Sequence, residues 1–395
     1  MAEDALLRFR ERFPILARTN YLISNSLGAM PAEVAGELAR YAETWATRGV
    51  RAWSEGWWEM AVTTGDLVAP VLGVGPGEVT FHQNVTLASA VFLSALDFSP
   101  GRNRIVVVDL EFPSLQYLYH RHPGAEVVTV RSRDGVGVDT EELLAAVDER
   151  TRLVAFSHVL FRSSYRMPAE AVARRAREVG ATTLVDVFQS AGTMPLRLAE
   201  WGLDAAVGGC LKWLCGGPGN CFLWVRPDLV PQLTPRITGW QAHKRPFAFE
   251  PGEIDAREDA WRFLTGTPNV PALHAAGPGL RVVAEAGLEA VRAKSTRQTA
   301  RLVELADAAG WTVNAPRDPE QRGGTVAVDL PHAKEVAAEL NARDVCVDYR
   351  PGAGVRFSPH FYTRDTELEA AVEAVHEILR TGAWERHQGL QRTVT

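Results

Sequence analysis

The chain has 395 residues, of which 46% are hydrophobic and 23% are charged, and its formal net charge is −6. That length predicts more than one domain, and an acidic balance without a basic stripe excludes the electrostatic footprint of a protein that binds nucleic acid or an anionic membrane. No apolar run approaches the ~20 residues that span a bilayer, and the first residues lack the order of a signal peptide, so we expect a cytoplasmic protein.

The chain opens on MAEDALLRFRERFP, a segment typical of an amphipathic charged helix. From about residue 78 to 225, short apolar runs typical of strands alternate with amphipathic helical stretches. One such stretch, PAEAVARRAREVG, has Pro168 near its first turn and ends on Gly180, an arrangement that helices favour. The predicted strands cover residues 78–82, 104–109, 126–130, 152–158, 182–187, 204–209 and 221–225.

Most of these strands are apolar on both faces, which predicts a mostly parallel sheet with helices on each side. We therefore predict an α/β fold in which the larger domain contains a mostly parallel seven-stranded sheet. The stretch GVGPGE at 73–78 precedes a strand, whereas a dinucleotide-binding loop follows one, so we interpret it as a turn.

The pattern changes after about residue 275. A long helical region at 283–309 precedes the strand-like run GTVAVDL, and a helix around 332–342 precedes DVCVDY and GVRFSP. A final helix is predicted near 365–380. This mixture predicts a smaller α+β domain at the C-terminus. The expected organisation is an N-terminal segment 1–30 that contributes to the small domain and the active site, a large domain 31–275 and a small domain 276–395.

The cysteines suggest a metal site at first sight, because three of the four lie close together. Their spacing is not the paired spacing of zinc ligands, and no histidine is suitably placed. We therefore expect no metal and small buried thiols of a reducing compartment. The four residues are Cys210, Cys215, Cys221 and Cys346.

Ligands of parallel sheets bind at the carboxyl ends of the strands, so the informative residues should follow the strands. Asp186 ends an apolar strand, where a carboxylate is poorly solvated and needs a cationic partner. Capping of the following turn is the alternative interpretation. Lys212 follows the next strand and precedes GGPG, which lets the backbone approach a ligand closely. A lysine that extends from a partly buried stem to solvent is the alternative here.

A neutral, desolvated lysine amine attacks carbonyl groups, and a buried carboxylate is what a pyridinium nitrogen needs. Lys212 and Asp186 together predict a site for pyridoxal 5′-phosphate (PLP). The junction FHQNVTLASA offers a phosphate site, because the amides that start a helix and the Thr86 hydroxyl can bind an anion; an ordinary Asn/Thr cap is the alternative. Phe112 follows another strand and can stack on the ring, although an isolated Phe is more often in the core.

Several segments resemble one family, in the same order along the chain. They are YLISNSLGAMP, WATRGVRAWSEGWW, EFPSLQYLY, SHVLFRSSYRMP, QSAGTMPLRLAEWGLDAAVGG, KWLCGGPGN, GWQAHKRPFAF followed by RFLTGTP, and DYRPGAGVRFSPHFYT. Asp186, Gln189 and Lys212 also fit a D-x-x-Q/H pattern with a lysine some two dozen residues later. Nearly the whole chain thus resembles the class V aminotransferase group of fold-type I PLP enzymes, and kynureninases most closely within it.

The resemblance implies a role for each matching residue around the cofactor. Lys212 would hold PLP covalently and move the proton between Cα and C4′. Asp186 would keep the pyridine nitrogen protonated, Gln189 would lie near the ring hydroxyl, and Phe112 would stack on the ring. Four residues are expected near the phosphate: Val85, Thr86, Trp240 and Thr267.

The resemblance also implies how an amino-acid substrate binds. Arg356 of GVRFSP would clamp the α-carboxylate, a bidentate task that suits the arginine fork, and Asn25 would approach the substrate from the N-terminal segment. Without the resemblance, a surface arginine on an edge strand explains Arg356 equally well. One of Trp240 and Thr267 is expected from a neighbouring subunit, which implies a homodimer with shared active sites.

Three positions depart from the family pattern. Leu211 stands where kynureninases usually have a tyrosine, which is expected to touch the phosphate and donate a proton. Gln189 replaces a histidine, and Leu115 replaces the aspartate of F-P-T-D. Three polar positions around the cofactor have thus become apolar or neutral. A well-placed proton donor contributes about 10²–10⁴-fold to a rate, so its loss changes what we expect of the reaction.

The leading prediction is hydrolytic Cβ–Cγ cleavage of L-kynurenine or a substituted kynurenine, which gives alanine and an anthranilate-type product. The alternatives are a β-eliminating C–S lyase, an aminotransferase or a specialised biosynthetic enzyme of the same family. A cysteine desulfurase is disfavoured because RPGAGVRFSPHFYT contains no cysteine. A non-catalytic PLP-fold protein is disfavoured because the cofactor residues are retained. Trp53, Trp57 and Trp58 form either an aryl-binding wall or, as we prefer, part of a dimer interface.

Overall fold

The computed structural model describes residues 4–389. No helix in that range is both long and apolar enough to cross a membrane. The predicted N-terminal amphipathic helix is wrong in type, because the segment forms two 3₁₀ helices, Ala5–Arg12 and Pro14–Ala17. Leu6 and Phe9 are both buried, and a spacing of three residues places them on one face of a 3₁₀ helix. The chain then forms the short strand β1 (Asn20–Tyr21).

A seven-stranded sheet forms the centre of the large domain, as predicted. Its strands are β2 (Val79–His82), β3 (Arg104–Val108), β4 (Glu126–Val130), β5 (Thr151–Ser157), β6 (Thr182–Asp186), β7 (Ala205–Gly209) and β8 (Cys221–Val225). Their order in the sheet is β2–β8–β7–β6–β5–β3–β4. Strand β8 is antiparallel to both of its neighbours, and the other neighbours pair in parallel.

Successive residues of these strands belong to two separate apolar clusters. Along β3, Ile105 and Val107 lie in one cluster, whereas Val106 and Val108 lie in the other. Because successive side chains of a strand point to opposite faces, both faces of the sheet are buried. The helices of this part of the chain are α1 (Glu33–Arg48), α2 (Met60–Thr63), α3 (Gly65–Leu72), α4 (Val85–Ser94), α5 (Pro113–His120), α6 (Thr140–Ala146), α7 (Ala169–Glu178) and α8 (Val270–Ala286).

The C-terminal part of the chain forms a separate antiparallel sheet with its own apolar cluster, as expected for an α+β unit. Its elements are α9 (Leu288–Ala308), β9 (Thr312–Val313), β10 (Val326–Asp329), α10 (Ala333–Ala342), β11 (Val345–Cys346), β12 (Asp348–Arg350), β13 (Gly354–Phe357) and α11 (Asp365–Thr381). The strand order is β12–β13–β10–β9, and β11 instead pairs with β1.

The helical region predicted at 283–309 is two helices rather than one. Helix α8 ends at Ala286, the following Gly287 has a φ of +79° that interrupts the helix, and α9 begins at Leu288. Helix α8 also runs across the proposed domain boundary at residue 275. The proposed boundary therefore lies inside a helix, and Gly287 separates α8 from α9.

The N-terminal segment packs on the small domain. Strand β1 pairs in parallel with β11. Arg10 donates to Glu367 at 2.7 Å, and Lys294 forms an ion pair of 2.7 Å with Asp4. These contacts support the proposal that residues 1–30 belong with the small domain, and they fix the following residues, including Asn25, beside the large sheet.

Candidate active site

A cavity of about 450 Å³ lies at the carboxyl ends of β5, β6 and β7. This is the edge of the sheet where the sequence predicts a ligand. Of the ten predicted site residues, seven line the cavity: Asn25, Val85, Phe112, Asp186, Gln189, Lys212 and Arg356. Three do not: Thr86, Trp240 and Thr267.

Lys212 lies three residues beyond β7 with its amine inside the cavity. Its Nζ is 4.6 Å from the centre of the Phe188 ring and 5.7 Å from the centre of the Phe112 ring. Burial lowers the pKa of Lys212 to about 8, although the nearby negative charge of Asp186 opposes the shift. The amine is therefore held by aromatic faces in a poorly solvated place, which favours its neutral, nucleophilic form.

Asp186 is the last residue of β6 and is buried. Its Oδ1 accepts a hydrogen bond from the Phe188 backbone N–H at 2.7 Å, so it does cap the following turn. Burial raises the pKa of Asp186 to about 6, and the Phe188 N–H and the Lys212 charge oppose that shift. The capping interpretation is thus confirmed, and because the same carboxylate lines the cavity, its role toward a ligand stays a prediction.

The N-terminal segment closes one side of the cavity. Gln189 donates from Nε2 to the Asn25 carbonyl oxygen at 3.0 Å, and its Oε1 accepts from Trp213 Nε1 at 2.9 Å. The Gly28 N–H donates to the Leu211 carbonyl oxygen at 2.8 Å. A Cβ at position 28 would lie 2.1 Å from the Lys212 carbonyl oxygen, so only glycine permits this approach. The SNSLG segment is therefore packed directly against the lysine loop.

The start of α4 forms another side of the cavity. Asn84 caps this helix, because its side chain accepts a hydrogen bond from the Leu87 N–H at 3.0 Å. The first N–H groups of a helix have no partner within the helix, and this end attracts anions. Val85 lines the cavity at this point, whereas Thr86 is half-buried and is not part of the cavity wall.

Aromatic and aliphatic side chains form the rest of the wall. Phe112 is 38% exposed and meets Phe161 edge to face at 5.5 Å, so it is not a core residue. Leu211 lines the cavity next to the lysine, as the sequence pattern implies. Leu115 does not, because it is fully buried in an apolar cluster below the sheet edge. The expectation that three polar positions around the cofactor are lost is thus wrong at Leu115.

Arg356 lies on β13, a central strand of the small sheet, and is buried. The interpretation as a surface arginine on an edge strand is therefore wrong. Its Nε donates to Asp348 Oδ1 at 2.7 Å, its Nη2 pairs with the other oxygen, and its Nη1 donates to the Phe161 carbonyl oxygen. Arginine has five N–H groups, so one on Nη1 and one on Nη2 remain for a ligand. Arg350 also pairs with Asp348, at 3.1 Å, and lines the same cavity.

Trp240 and Thr267 lie outside the cavity of their own chain. The loops that carry them touch each other, because a Cβ on Gly239 would lie 2.1 Å from the Thr265 carbonyl oxygen. Thr267 lines a small neighbouring cavity together with Gln83, which also lines the main one. Thr267 is therefore beside the rim, and Trp240 is on the outer surface.

The three tryptophans of AWSEGWW are not a wall of the main cavity. Trp58 packs on Trp240 at 4.6 Å, and Trp57 stacks on Tyr41 at 5.4 Å. Trp53 meets Trp57 edge to face at 5.6 Å. The hypothesis of an aryl-binding wall formed by these residues within one chain is therefore wrong.

The cysteines form no metal centre in the part of the chain that the structure describes, where no cluster of three or more potential ligands occurs. Cys210, Cys215 and Cys221 are buried, and Cys346 is half-buried. Burial raises the pKa of Cys221 to about 12, which keeps this cavity-lining thiol protonated.

The residues present fit PLP. Asn25 is 1% exposed and lines the cavity, yet neither Oδ1 nor Nδ2 of its amide has a partner among residues 4–389. A buried amide without partners is costly, so this one calls for a polar ligand. The desolvated Lys212 amine suits an aldehyde, the Asp186 carboxylate suits a pyridinium nitrogen, and the start of α4 suits a phosphate.

Comparison with known proteins agrees with this geometry. The model of the aminotransferase class-V family matches residues 20–368, and the chain belongs to that family. Within the family it is kynureninase-like. It is 33% identical to a kynureninase from Pseudomonas fluorescens, over 98% of this chain and 95% of that protein. It is 32% identical to a kynureninase from Burkholderia pseudomallei, over 97% of this chain and 94% of that protein.

Solved structures share the fold at lower identity. A cysteine desulfurase from Thermococcus onnurineus NA1 is 21% identical, with a TM-score of 0.82 over 95% of this chain and 98% of that chain. A mutant of C-DES with glycine covalently linked to the PLP cofactor is 20% identical, with a TM-score of 0.83 over 93% of this chain and 98% of that chain. The predicted family and fold are confirmed, and PLP is confirmed as the cofactor at the level of the family.

Sequence reasoning missed several residues of the cavity. Phe188 lies two residues after Asp186, the last residue of β6, and this closeness to a strand end could have identified it. Arg350 precedes Arg356 by six residues in the segment DYRPGAGVRF, where two arginines flank one turn. Glu111, which lies behind the cavity wall rather than in it, directly precedes Phe112 and comes three residues after β3, near the place where a ligand-binding residue is expected.

Proposed function

We propose that this protein is a PLP-dependent hydrolase that cleaves the Cβ–Cγ bond of L-kynurenine or a substituted kynurenine. The single observation that carries the proposal is the cavity that brings Lys212, Asp186 and Arg356 together beneath aromatic walls. The Lys212 amine and the Asp186 carboxylate would bind the cofactor, and the Arg356 guanidinium would bind the carboxylate of an amino acid. The aromatic walls would enclose an aryl group.

PLP, when bound, supplies an electron sink for negative charge at the substrate Cα. Asp186 would hold a proton on the pyridine nitrogen, because a buried carboxylate stabilises an adjacent cation. Lys212 would bind the cofactor aldehyde through Nζ, and its free amine would accept the Cα proton of the substrate and carry it to C4′. The pKa near 8 leaves a useful fraction of its amine neutral for that task.

The charged wall of the cavity suits an amino-acid substrate. Arg356 is fixed by Asp348, which is 0% exposed, and therefore offers its two remaining N–H groups in one orientation. Such a preorganised fork binds a carboxylate end-on. The unpartnered amide of Asn25 can donate to the substrate or to the cofactor from the opposite side.

The apolar wall suits the aryl ketone of a kynurenine. Phe112, Phe161 and Phe188 line the cavity with Val159 and Leu211. Burial of an aromatic ring between such side chains is favourable. Each pair of rings in contact adds about 0.5–1.5 kcal/mol to the binding free energy beyond the effect of burial. A substrate with a short polar side chain would leave this wall uncovered.

The second candidate is a β-eliminating C–S lyase or another reaction of the family. Leu211 favours it, because an apolar side chain beside Lys212 cannot supply the proton that Cβ must gain when the Cβ–Cγ bond of a kynurenine breaks. Elimination of a thiol from Cβ needs less help from a strong proton donor, since a thiol of pKa near 8.5 leaves readily as its anion. The same cofactor set serves both reactions.

Product analysis separates these candidates. The purified protein, loaded with PLP, is incubated with L-kynurenine, with 3-hydroxykynurenine and with a cysteine conjugate. Alanine and an anthranilate in equal amounts support the proposed hydrolysis. Pyruvate from the conjugate, without alanine from kynurenine, contradicts it and supports the lyase. Lys212→Ala is the control, in which every product should disappear.

A homodimer with shared active sites belongs to the same proposal. Neither Trp240 nor Thr267 lies in the cavity of its own chain, and the exposed aromatic surface around Trp240 suits burial against a second copy. In that arrangement, one of these residues completes the phosphate site of the partner. A cytoplasmic location stays a prediction from the sequence.

A further inference from the structure

A buried carboxyl group outside the predicted set lies directly behind the cavity. Glu111 follows β3, precedes Phe112 and is 4% exposed. Its Oε1 accepts a hydrogen bond from the Ser157 backbone N–H at 2.8 Å, and its Oε2 forms a second hydrogen bond with the Ser157 hydroxyl. Ser157 itself lines the cavity. A single side chain therefore separates Glu111 from the space where the cofactor binds.

Ser157 also connects Glu111 to Asp186. The two residues are partners in the register of β5 and β6. Partners in neighbouring parallel strands point to the same face of the sheet, so the Ser157 hydroxyl and the Asp186 carboxyl group lie side by side. Two acidic groups thus lie at one end of the cavity, Asp186 in its wall and Glu111 behind Ser157.

Three elements place ionisable or polar groups against Glu111: Ser157 on β5, Asp186 on β6 and Tyr119 on α5. Burial, with a smaller contribution from the Asp186 charge, raises the pKa of Glu111 to about 8, against the effect of the Ser157 hydrogen bonds. Burial and the same two carboxyl groups raise the pKa of Tyr119 well above its ordinary value. Lys212 acts on the neighbouring Asp186, and no basic residue is among the groups that shift the pKa of Glu111 most.

We propose that Glu111 is a positioning residue, which holds a proton at neutral pH and makes the Ser157 hydroxyl a hydrogen-bond donor toward the Asp186 end of the cavity. The inference rests on the proposed PLP site but not on the reaction carried out there. When Glu111 is neutral, its O–H donates to Ser157 Oγ and leaves the serine proton for the cavity. When Glu111 is ionised, Ser157 donates to it, and a second negative charge lies beside Asp186.

The negative charge near Asp186, where the ring of the cofactor would bind, therefore depends on whether Glu111 carries a proton. A single negative charge at Asp186 is enough to hold a proton on the pyridine nitrogen. A second charge at Glu111 would further stabilise positive charge on the ring and would remove the serine donor. The bound cofactor should therefore report the ionisation of Glu111, although Glu111 does not touch it.

The experiment compares Glu111→Gln with Ser157→Ala and with a matched control, Asp204→Asn. Asp204 is also a poorly exposed carboxylate that accepts from one backbone N–H and one hydroxyl, both of Thr183, at 2.8 and 3.1 Å. It precedes β7 and lies at the opposite edge of the sheet from the cavity. Asp204 also forms an ion pair with Arg226 at 3.2 Å, so it matches Glu111 in the hydrogen bonds that it accepts from one residue, but neither in charge pairing nor in position.

The first readout is a pH titration of the visible absorbance of bound PLP. We expect wild type and Asp204→Asn to show the same transition near pH 8, Glu111→Gln to lack it, and Ser157→Ala to show it at a shifted pH. Superimposable titrations of wild type and Glu111→Gln, both loaded with PLP, would overturn the proposal.

The second readout is the Tm of the protein without PLP as a function of pH. The pKa of Glu111 is raised by folding, so its neutral form favours the folded state fully below about pH 4, and this advantage is lost as the pH rises through about 8. Glu111→Gln should therefore gain Tm relative to wild type between these values. A constant difference would overturn the proposal. Wild type that binds no PLP would instead contradict the proposed function, and this second readout would still decide the state of Glu111.

Discussion

Burial shifts the pKa values of Lys212 and Asp186, the two residues proposed to hold PLP, toward 7 from opposite directions. The pKa of Lys212 falls to about 8, and that of Asp186 rises to about 6. At pH 7 an amine of pKa 8 is about one-tenth neutral, whereas an ordinary lysine is neutral in fewer than about one molecule in a thousand. The same desolvation that makes a buried lysine costly therefore makes this one reactive.

Leu211 is the residue that we propose limits the cleavage of a kynurenine at this site. In Leu211→Tyr, a hydroxyl would lie beside Lys212 in the cavity, so we expect kcat for L-kynurenine to rise by about tenfold or more, toward the range of a placed proton donor. The measurement is steady-state hydrolysis followed through the anthranilate product. Leu211→Phe is the control, because it adds the same ring without the hydroxyl. Equal rates in the two variants would show that shape, and not proton donation, limits the reaction.

Sequence reasoning found Asp186 and Lys212 because single polar residues at the ends of apolar strands stand out. It did not find Glu111, which is equally buried and equally close to a strand end. The difference lies in the partner: the role of Glu111 depends on Ser157, 46 residues away in the chain. A local pattern does not show which strand lies next to which.

At the scale of elements, the start of α4 joins secondary structure to cofactor binding. In Asn84→Ala, loss of the cap should cost about 1 kcal/mol of stability and should misalign the first N–H groups, which lowers the affinity for PLP. The control is Asp139→Ala, which removes a cap of similar geometry from α6, away from the cavity. We expect similar losses of Tm but weaker PLP binding in Asn84→Ala alone. Equal PLP affinities in the two variants would exclude α4 as the phosphate site.

Most strand bounds agree with the sequence pattern to within one residue, because apolar runs bounded by polar residues are distinctive. The pattern did not predict the antiparallel direction of β8, since a strand that is apolar on both faces looks the same in either direction. Nor did it predict the break at Gly287, because the apolar periodicity of α8 continues into α9.

At the scale of the whole molecule, an exposed aromatic surface lies beside the rim of the cavity. Phe247 is 61% exposed and packs on Trp58 at 4.7 Å, and Trp240 lies next to both. Contiguous exposed apolar surface is typical of protein–protein interfaces, and here it continues the loop that carries a predicted phosphate residue. A dimer formed through this surface would bury it and complete the site.

Phe247→Glu tests this assembly. A charge in the centre of a buried interface is unfavourable, so we expect analytical ultracentrifugation to show a homodimer for wild type and a monomer for the variant, with weakened PLP binding in the monomer. Phe247→Leu keeps the surface apolar and should remain a dimer. A wild-type monomer that binds PLP fully would contradict the shared site.

The cavity itself is a product of the whole fold. Asn25, Asp186 and Arg356 come from the N-terminal segment, the large sheet and the small sheet, and they line one space. Spacing along the chain gives no such proximity, so the substrate residues could be assigned only through the resemblance to a family, whereas the cofactor pair could be assigned from the strands.

The central claim is that Lys212 captures PLP, and reductive trapping tests it most directly. The protein contains four lysines, and two of the others are held in ion pairs: Lys244 with Asp255 and Lys294 with Asp4. The protein is incubated with PLP, reduced with borohydride, digested and mapped by mass spectrometry. We predict one equivalent of label, on the peptide that contains Lys212, and none in Lys212→Ala. Label distributed over the other lysines, or its absence from Lys212, would contradict the account.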